Sequence, residues 1–193
     1  MQARAALIVP IVMIATTARV PAADAIPSPV QCHAAGNAAV RSRSPLATAA
    51  IEYGVKHSPT LQALVASLQQ TDIVAYVDSD LRPLGDIWGH VAFISKTPQC
   101  RYLRIAITAQ LNLTQAAALL AHELQHAFEI ASHPEVVDTA SLSAMYLRYG
   151  RKGRYANAYD SAEAVAMGAR VAAEIYGVAA PPSAKSFPAE TER

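Results

Sequence analysis

The stretch "AHELQHAFEIASHP" (residues 121–134) sets two histidines four residues apart, with a glutamate directly after the first. Residues i and i+4 of an α-helix stand one above the other on the same face, so His122 and His126 can direct their imidazoles at one point in space. Leu119, Leu120, Leu124, Phe128 and Ala131 recur at helical spacing, Thr114 is a candidate N-cap, and Pro134 forbids continuation beyond about His133. One long helix with an apolar side and a histidine face follows.

Outward from that helix the chain is punctuated by capping signals. Both "SPLATAAIEYGVKH" (44–57) and "SPTLQALVASLQQ" (58–70) open with a serine N-cap and a proline at the first helical position, which predicts two successive helices. "DIVAYVD" (72–78), "DIWGHVAFI" (86–94) and "RYLRIAIT" (101–108) are β-rich runs, the last two separated by the loop "SKTPQC" (95–100). They predict a hairpin plus one partner strand, with Gly89 as a candidate bulge. In the third run Leu103, Ile105 and Ile107 point to the core, while Tyr102, Arg104, Ala106 and Thr108 point the other way. A helix is expected within "PEVVDTASLSAMYLRYG" (134–150), then a basic loop at Arg151, Lys152 and Arg154, then a last helix through "AYDSAEAVAMGARVAAEIYG" (158–177) that stops at Gly177. The expected fold class is α+β: a helix-rich single domain over residues 44–177 with a small three-stranded sheet.

Composition narrows the function classes. Lys plus Arg is 16 against 15 Asp plus Glu, a net charge of +1, so no field exists to attract nucleic acid. Hydrophobic residues reach 52% with aromatics at only 6%, an alanine-rich balance that suits close helix packing. The first 23 residues have a basic Arg4, an apolar run from Ala5 to Ala15 broken by Pro10, and small residues beyond, the layout of a cleavable secretory signal peptide. The run falls short of the roughly 20 residues of a membrane span, so an exported mature chain with no stable span is expected. Cleavage after Ala18, Ala22 or Ala23 would each suit. Residues 24–43 are expected to be a flexible mature N-terminus and 178–193 a disordered tail. Cys32 and Cys100 are either a single disulfide or two separate buried thiols.

Two imidazoles at i and i+4 suit zinc, which takes nitrogen donors at 2.0 to 2.1 Å in a tetrahedron. Glu123 lies about 100° around the helix from His122, near enough to take a proton from water at the site without itself ligating. By chance, H-E-x-x-H would occur roughly 0.007 times in a chain of this length and composition. Two histidines need a third protein donor. Asp160 and Glu163 are the downstream candidates, expected to share a face of the last helix at i and i+3. Both remain open here. Of Tyr146, Tyr149, Tyr155 and Tyr159, Tyr155 or Tyr159 could donate a hydrogen bond to a developing oxyanion. His33, His57, His90 and His133 read as structural or solvated, and the basic loop as a solvated turn.

With these residues in view, the segment from "RYLRIAIT" to "GARVAAEIYG", and above all "AHELQHAFEIA", resembles the gluzincin branch of the zincin metallopeptidases. It also resembles small exported bacterial H-E-x-x-H proteins with "HELQHALE"-type helices. The resemblance implies a Zn2+-dependent peptidase acting on a peptide or protein substrate, with His122 and His126 as ligands, a carboxylate from a later helix as third, and Glu123 as general base. In those small proteins an aromatic residue precedes the ligand glutamate; "YDS" departs from that pattern and puts Asp160, an aspartate, in the ligand's place. Residue type alone would name Glu163. The rival expectation is a catalytically quiet, metal-containing exported domain that presents a sheet edge to a partner.

Overall fold

A computed structural model describes residues 32–33, 38–80, 87–152 and 159–179. The leader at 1–23, most of 24–43, most of the tail, Tyr155 and Arg154 lie outside the described residues.

The elements run β1 (Val40–Ser42), α1 (Pro45–His57), α2 (Pro59–Leu68), β2 (Ile73–Asp80), β3 (Gly89–Lys96), β4 (Arg101–Thr108), α3 (Leu113–Ala131), α4 (Thr139–Tyr149), β5 (Arg151–Lys152), β6 (Tyr159–Asp160) and α5 (Ala162–Tyr176). The class is α+β and helix-rich, as expected. Ser44 and Ser58 cap α1 and α2 through their hydroxyls, each with proline following. The long helix is capped by Asn112 rather than Thr114, because Asn112 and Gln115 form a reciprocal capping box that starts the helix two residues earlier. Likewise α4 begins only after Asp138, whose carboxylate accepts from the Ser141 amide.

The sheet has four strands rather than three, in the order β1-β2-β4-β3. The additional strand, Val40–Ser42, lies in the segment expected to be flexible and pairs in parallel with Ala75–Val77. It is three residues long, too short for an alternation to show in the sequence. β2 and β4 are parallel, and β3 joins β4 antiparallel. The irregularity in β3 falls between Phe93 and Ser95, not at Gly89. Ile73, Ala75 and Val77 of β2 with Leu103, Ile105 and Ile107 of β4 form the sheet's contribution to the core, which draws both strands inside. The outer side of β4 is open only in part, since Ala106 and Thr108 are buried.

Helix α3 lies across the core face of the sheet, with α1, α2 and α5 packed against it. Leu120, Leu124 and Ile130 are fully buried, and Ala116, Ala117, Ala121 and Ala127 let neighbouring helices approach closely. Among the described residues no helix is long and apolar enough to cross a membrane.

Two covalent or ionic ties fix the ends of this layer. Cys32 and Cys100 form a disulfide with Cα atoms 5.3 Å apart, holding the segment before β1 against the start of β4. His33 is accordingly buried, its Nε2 3.0 Å from the Thr71 carbonyl oxygen. Arg101, also buried, makes a bidentate pair with Asp72 at 2.7 Å on both arms. Its guanidinium also donates to the carbonyls of Ile130, Ala131, His133 and Val136, at 2.9, 3.2, 2.7 and 3.2 Å. These are carbonyls at and beyond the C-terminus of α3, so one side chain ties the end of the histidine helix to the sheet. An ammonium cannot span that fork. Arg101→Lys is expected to lower unfolding free energy by about 2 kcal/mol; an unchanged denaturant midpoint would refute this role.

Candidate metal centre

His122 and His126 project from one face of α3, ring centroids 4.9 Å apart. The third member of the group comes from outside the helix. Ser161 is the N-cap of α5, so Asp160 is the last residue of β6 and Glu163 sits in the first helical turn. The two carboxylates therefore do not share a helix face, because the capping serine breaks the helical path between them. Glu163 is exposed. Asp160 Oδ1 stands 3.3 Å from His122 Nε2 and 3.5 Å from His126 Nε2. The donor atoms of His122, His126 and Asp160 all lie within 4.8 Å of one another and could hold a metal ion.

The backbone prepares this position. The Ser161 amide donates to Asp160 Oδ1 at 2.8 Å, and the β5–β6 pairing sets the strand that carries Asp160. At Gly168 of α5 a Cβ would come within 3.0 Å of the Ala118 carbonyl oxygen and 3.3 Å of His122 Cβ. Only glycine allows α5 to lie so near the histidine face. A Cβ at Gly89 would meet Glu123 Oε1 at 2.5 Å, so β3 also reaches the motif through a missing side chain.

Each titratable group responds to burial and to its neighbours. Burial lowers the pKa of His122, opposed by the Asp160 charge. His126 also loses solvation, but hydrogen bonds to Asp160 and Glu129 and the charge of Glu123 override this and push it up to about 9. Glu123, only 4% exposed, is pushed up to about 7 by burial, against the charge of His126 and with that of Asp160. Burial opposes ionisation of Asp160 too, yet His126 and His122 hold its carboxyl below the usual range.

Two contributors are given no role at the site by the sequence reading, Glu129 unnamed there and Tyr146 named only among the neighbouring tyrosines. Glu129 Oε2 is 2.9 Å from His126 Nδ1; a carboxylate three residues after a candidate ligand histidine is a signal the sequence does contain. Tyr146 is edge-on to the His126 ring at 5.5 Å and stacks on Tyr159 at 6.3 Å. Its hydroxyl is buried without a hydrogen-bond partner among the described residues.

All of these groups except Glu129 border one cavity of about 490 Å³, whose opposite wall is β3 from Gly89 to Phe93 and whose rim is α4. His90, expected to be structural or solvated, is part of that wall. β4 offers no free edge, since β2 and β3 occupy both sides of it; among the described strands the free edge beside the cavity belongs to β3. No family model matches the sequence, and comparisons with curated proteins and with solved structures find no match.

Proposed function

We propose that this chain is an exported zinc-dependent peptidase of gluzincin-like character, in which His122, His126 and Asp160 hold the ion and Glu123 is the general base. The observation that carries the reading is the buried Glu123 carboxyl, its pKa pushed up to about 7, beside the three donor atoms of His122, His126 and Asp160 that lie within 4.8 Å of one another. A tetrahedron with bonds of 2.0 to 2.1 Å has edges of about 3.3 Å. The spacings of 3.3 and 3.5 Å from Asp160 Oδ1 to the two imidazoles are close to that edge, and two nitrogens with one carboxylate oxygen are a zinc donor set. Export is supported by the disulfide, which persists in oxidising compartments.

When bound, zinc would polarise the scissile carbonyl and acidify water. The remaining work falls to the chain. Glu123 takes a proton from the attacking water and returns it to the leaving amine. The open edge of β3 pairs with an extended peptide backbone, with Val91, Phe93, Leu142 and Leu147 around an apolar side chain of that peptide. Tyr146 supplies the oxyanion donor in preference to Tyr159, because its buried hydroxyl belongs to a residue of the cavity wall and has no hydrogen-bond partner among the described residues.

A hydroxyl kept in that state lowers stability in the resting protein. Tyr146→Phe is therefore expected to raise unfolding free energy by about 1 kcal/mol while lowering peptide cleavage roughly a hundredfold. Tyr159→Phe should change cleavage by no more than about twofold and unfolding free energy by no more than about 0.5 kcal/mol. Equal activity losses in the two variants would remove the assignment. The decisive experiment for the function is zinc content of the purified mature protein followed by a broad fluorogenic peptide screen. A folded chain without stoichiometric metal would sink the peptidase reading. The exposed Trp88 and Ile94, 55% and 52% accessible just before and within β3, favour one alternative: a metal-containing domain that binds a partner at this edge without cutting it. Metal with no cleavage anywhere in the screen would select it.

A further inference from the structure

The three candidate donors come from two separately folded elements, and helical geometry within α3 does nothing to fix the distance from its histidines to Asp160. A chain of hydrogen bonds does. Glu129 Oε2 accepts from His126 Nδ1 at 2.9 Å, which leaves Nε2 facing Asp160. Glu129 Oε1 accepts from the Ser161 hydroxyl at 2.6 Å. That hydroxyl oxygen in turn accepts from the Ala164 amide at 2.9 Å, and the Ser161 amide holds Asp160 Oδ1 at 2.8 Å. Both oxygens of Glu129 are thus engaged, one on the helix that carries the histidines and one on the residue that follows the third donor.

We propose that Glu129 and Ser161 form a clamp that sets Asp160 against the histidine pair and so preorganises the metal site. Glu129 is a positioning residue in this account and touches neither metal nor substrate. An anionic carboxylate on Nδ1 orients the imidazole and strengthens the opposite nitrogen as a donor. The Ser161 arm extends the same constraint to the neighbouring element, which a partner on α3 alone could not do. A cap serving only α5 would need the Ala164 amide and nothing from α3. The proposal rests on the metal reading above.

The test measures the zinc dissociation constant by competition with a chelator, and the visible spectrum of the cobalt(II) form, for the full mature chain and four variants. Glu129→Gln and Ser161→Ala should each bind zinc about 10- to 100-fold more weakly. Because both act through one carboxylate, the double variant should lie within about twofold of the weaker single. The cobalt bands should shift in both singles, and Ser161→Thr, which keeps a hydroxyl, should restore affinity and spectrum. Parental affinity and spectrum in folded variants, with only the melting temperature lowered, would reduce the pair to a structural contact and overturn the clamp. Losses that multiply in the double variant would overturn it as well. Should Glu129→Gln fail to fold, the Ser161 pair decides alone: equal affinities in the Ala and Thr variants overturn the proposal. If the parent takes up neither metal, the metal reading itself falls and the clamp falls with it. Metal-binding variants indistinguishable from the parent remove the clamp only.

Discussion

Glu123→Gln is expected to leave zinc affinity within about twofold of the parent and to lower peptide hydrolysis by about three orders of magnitude. The amide fills the same space beside Gly89 and is not among the donor atoms that meet at the site, so metal should stay. What it cannot do is accept a proton. The same substitution has a second consequence that needs no substrate. In the metal-free fold, burial raises the Glu123 pKa from 4.5 to about 7. A carboxyl raised in this way contributes stability that is fully present below about 4.5 and lost as pH rises through about 7. Glutamine does not titrate. The stability difference should therefore open in favour of the variant between pH 4.5 and 7 and level off above, at roughly 3 kcal/mol for a shift of this size. Thermal unfolding in chelator across that range checks it. A pH-independent difference would refute the buried carboxyl, and undiminished cleavage by the metal-loaded variant would end the base assignment.

Asp160→Ala should weaken zinc binding by more than about a hundredfold, since it removes one donor of three where loss of a supporting contact alone costs 10- to 100-fold. Glu163→Ala, on the exposed face of the first turn of α5, should bind as the parent does. Dialysis against a weak chelator followed by metal analysis separates them: metal lost from Glu163→Ala and kept by Asp160→Ala would reverse the assignment. At a free zinc concentration a thousandfold above its dissociation constant, the parent should gain about 4 kcal/mol of stability. The Asp160 variant should gain little. Binding also has a proton signature. His126, pushed up to about 9 in the metal-free protein, stabilises that form fully below about 6.5, and this contribution is lost as pH rises through about 9. Zinc needs the neutral ring, so uptake at pH 7.5 should release close to one proton from His126. Calorimetry in two buffers of different ionisation heat measures this. Binding heats independent of buffer would contradict a protonated His126.

The caps of α1 and α2 and the stop of α5 were legible because they are local: serine and proline at 44–45 and 58–59, the repeating leucines of α3 and Gly177 each act through neighbours a few residues away. Gly177 does adopt the left-handed conformation, φ 67°, at the end of α5. The convergence of His122 and His126 was legible for the same reason, as a pair four apart on one helix is placed by the helix itself. Three features lay outside that reach. Val40–Ser42 is a strand only because β2 leaves it an edge to pair with. Among the described strands the edge beside the cavity falls to β3, because β4 is paired on both sides, with β2 and with β3.

The third donor shows the division most plainly. Between Asp160 and Glu163, residue type and position along the chain pointed different ways, and the choice turned on Ser161 capping α5 while its hydroxyl met Glu129 from 32 positions away. The sequence by itself determined the helices, their stops and the histidine pair with its glutamate, since these depend on spacing along one helix. Which carboxylate completes the group, which strand borders it and which tyrosine faces it were decided only by the tertiary structure, because those distances are set by packing between elements far apart in the chain.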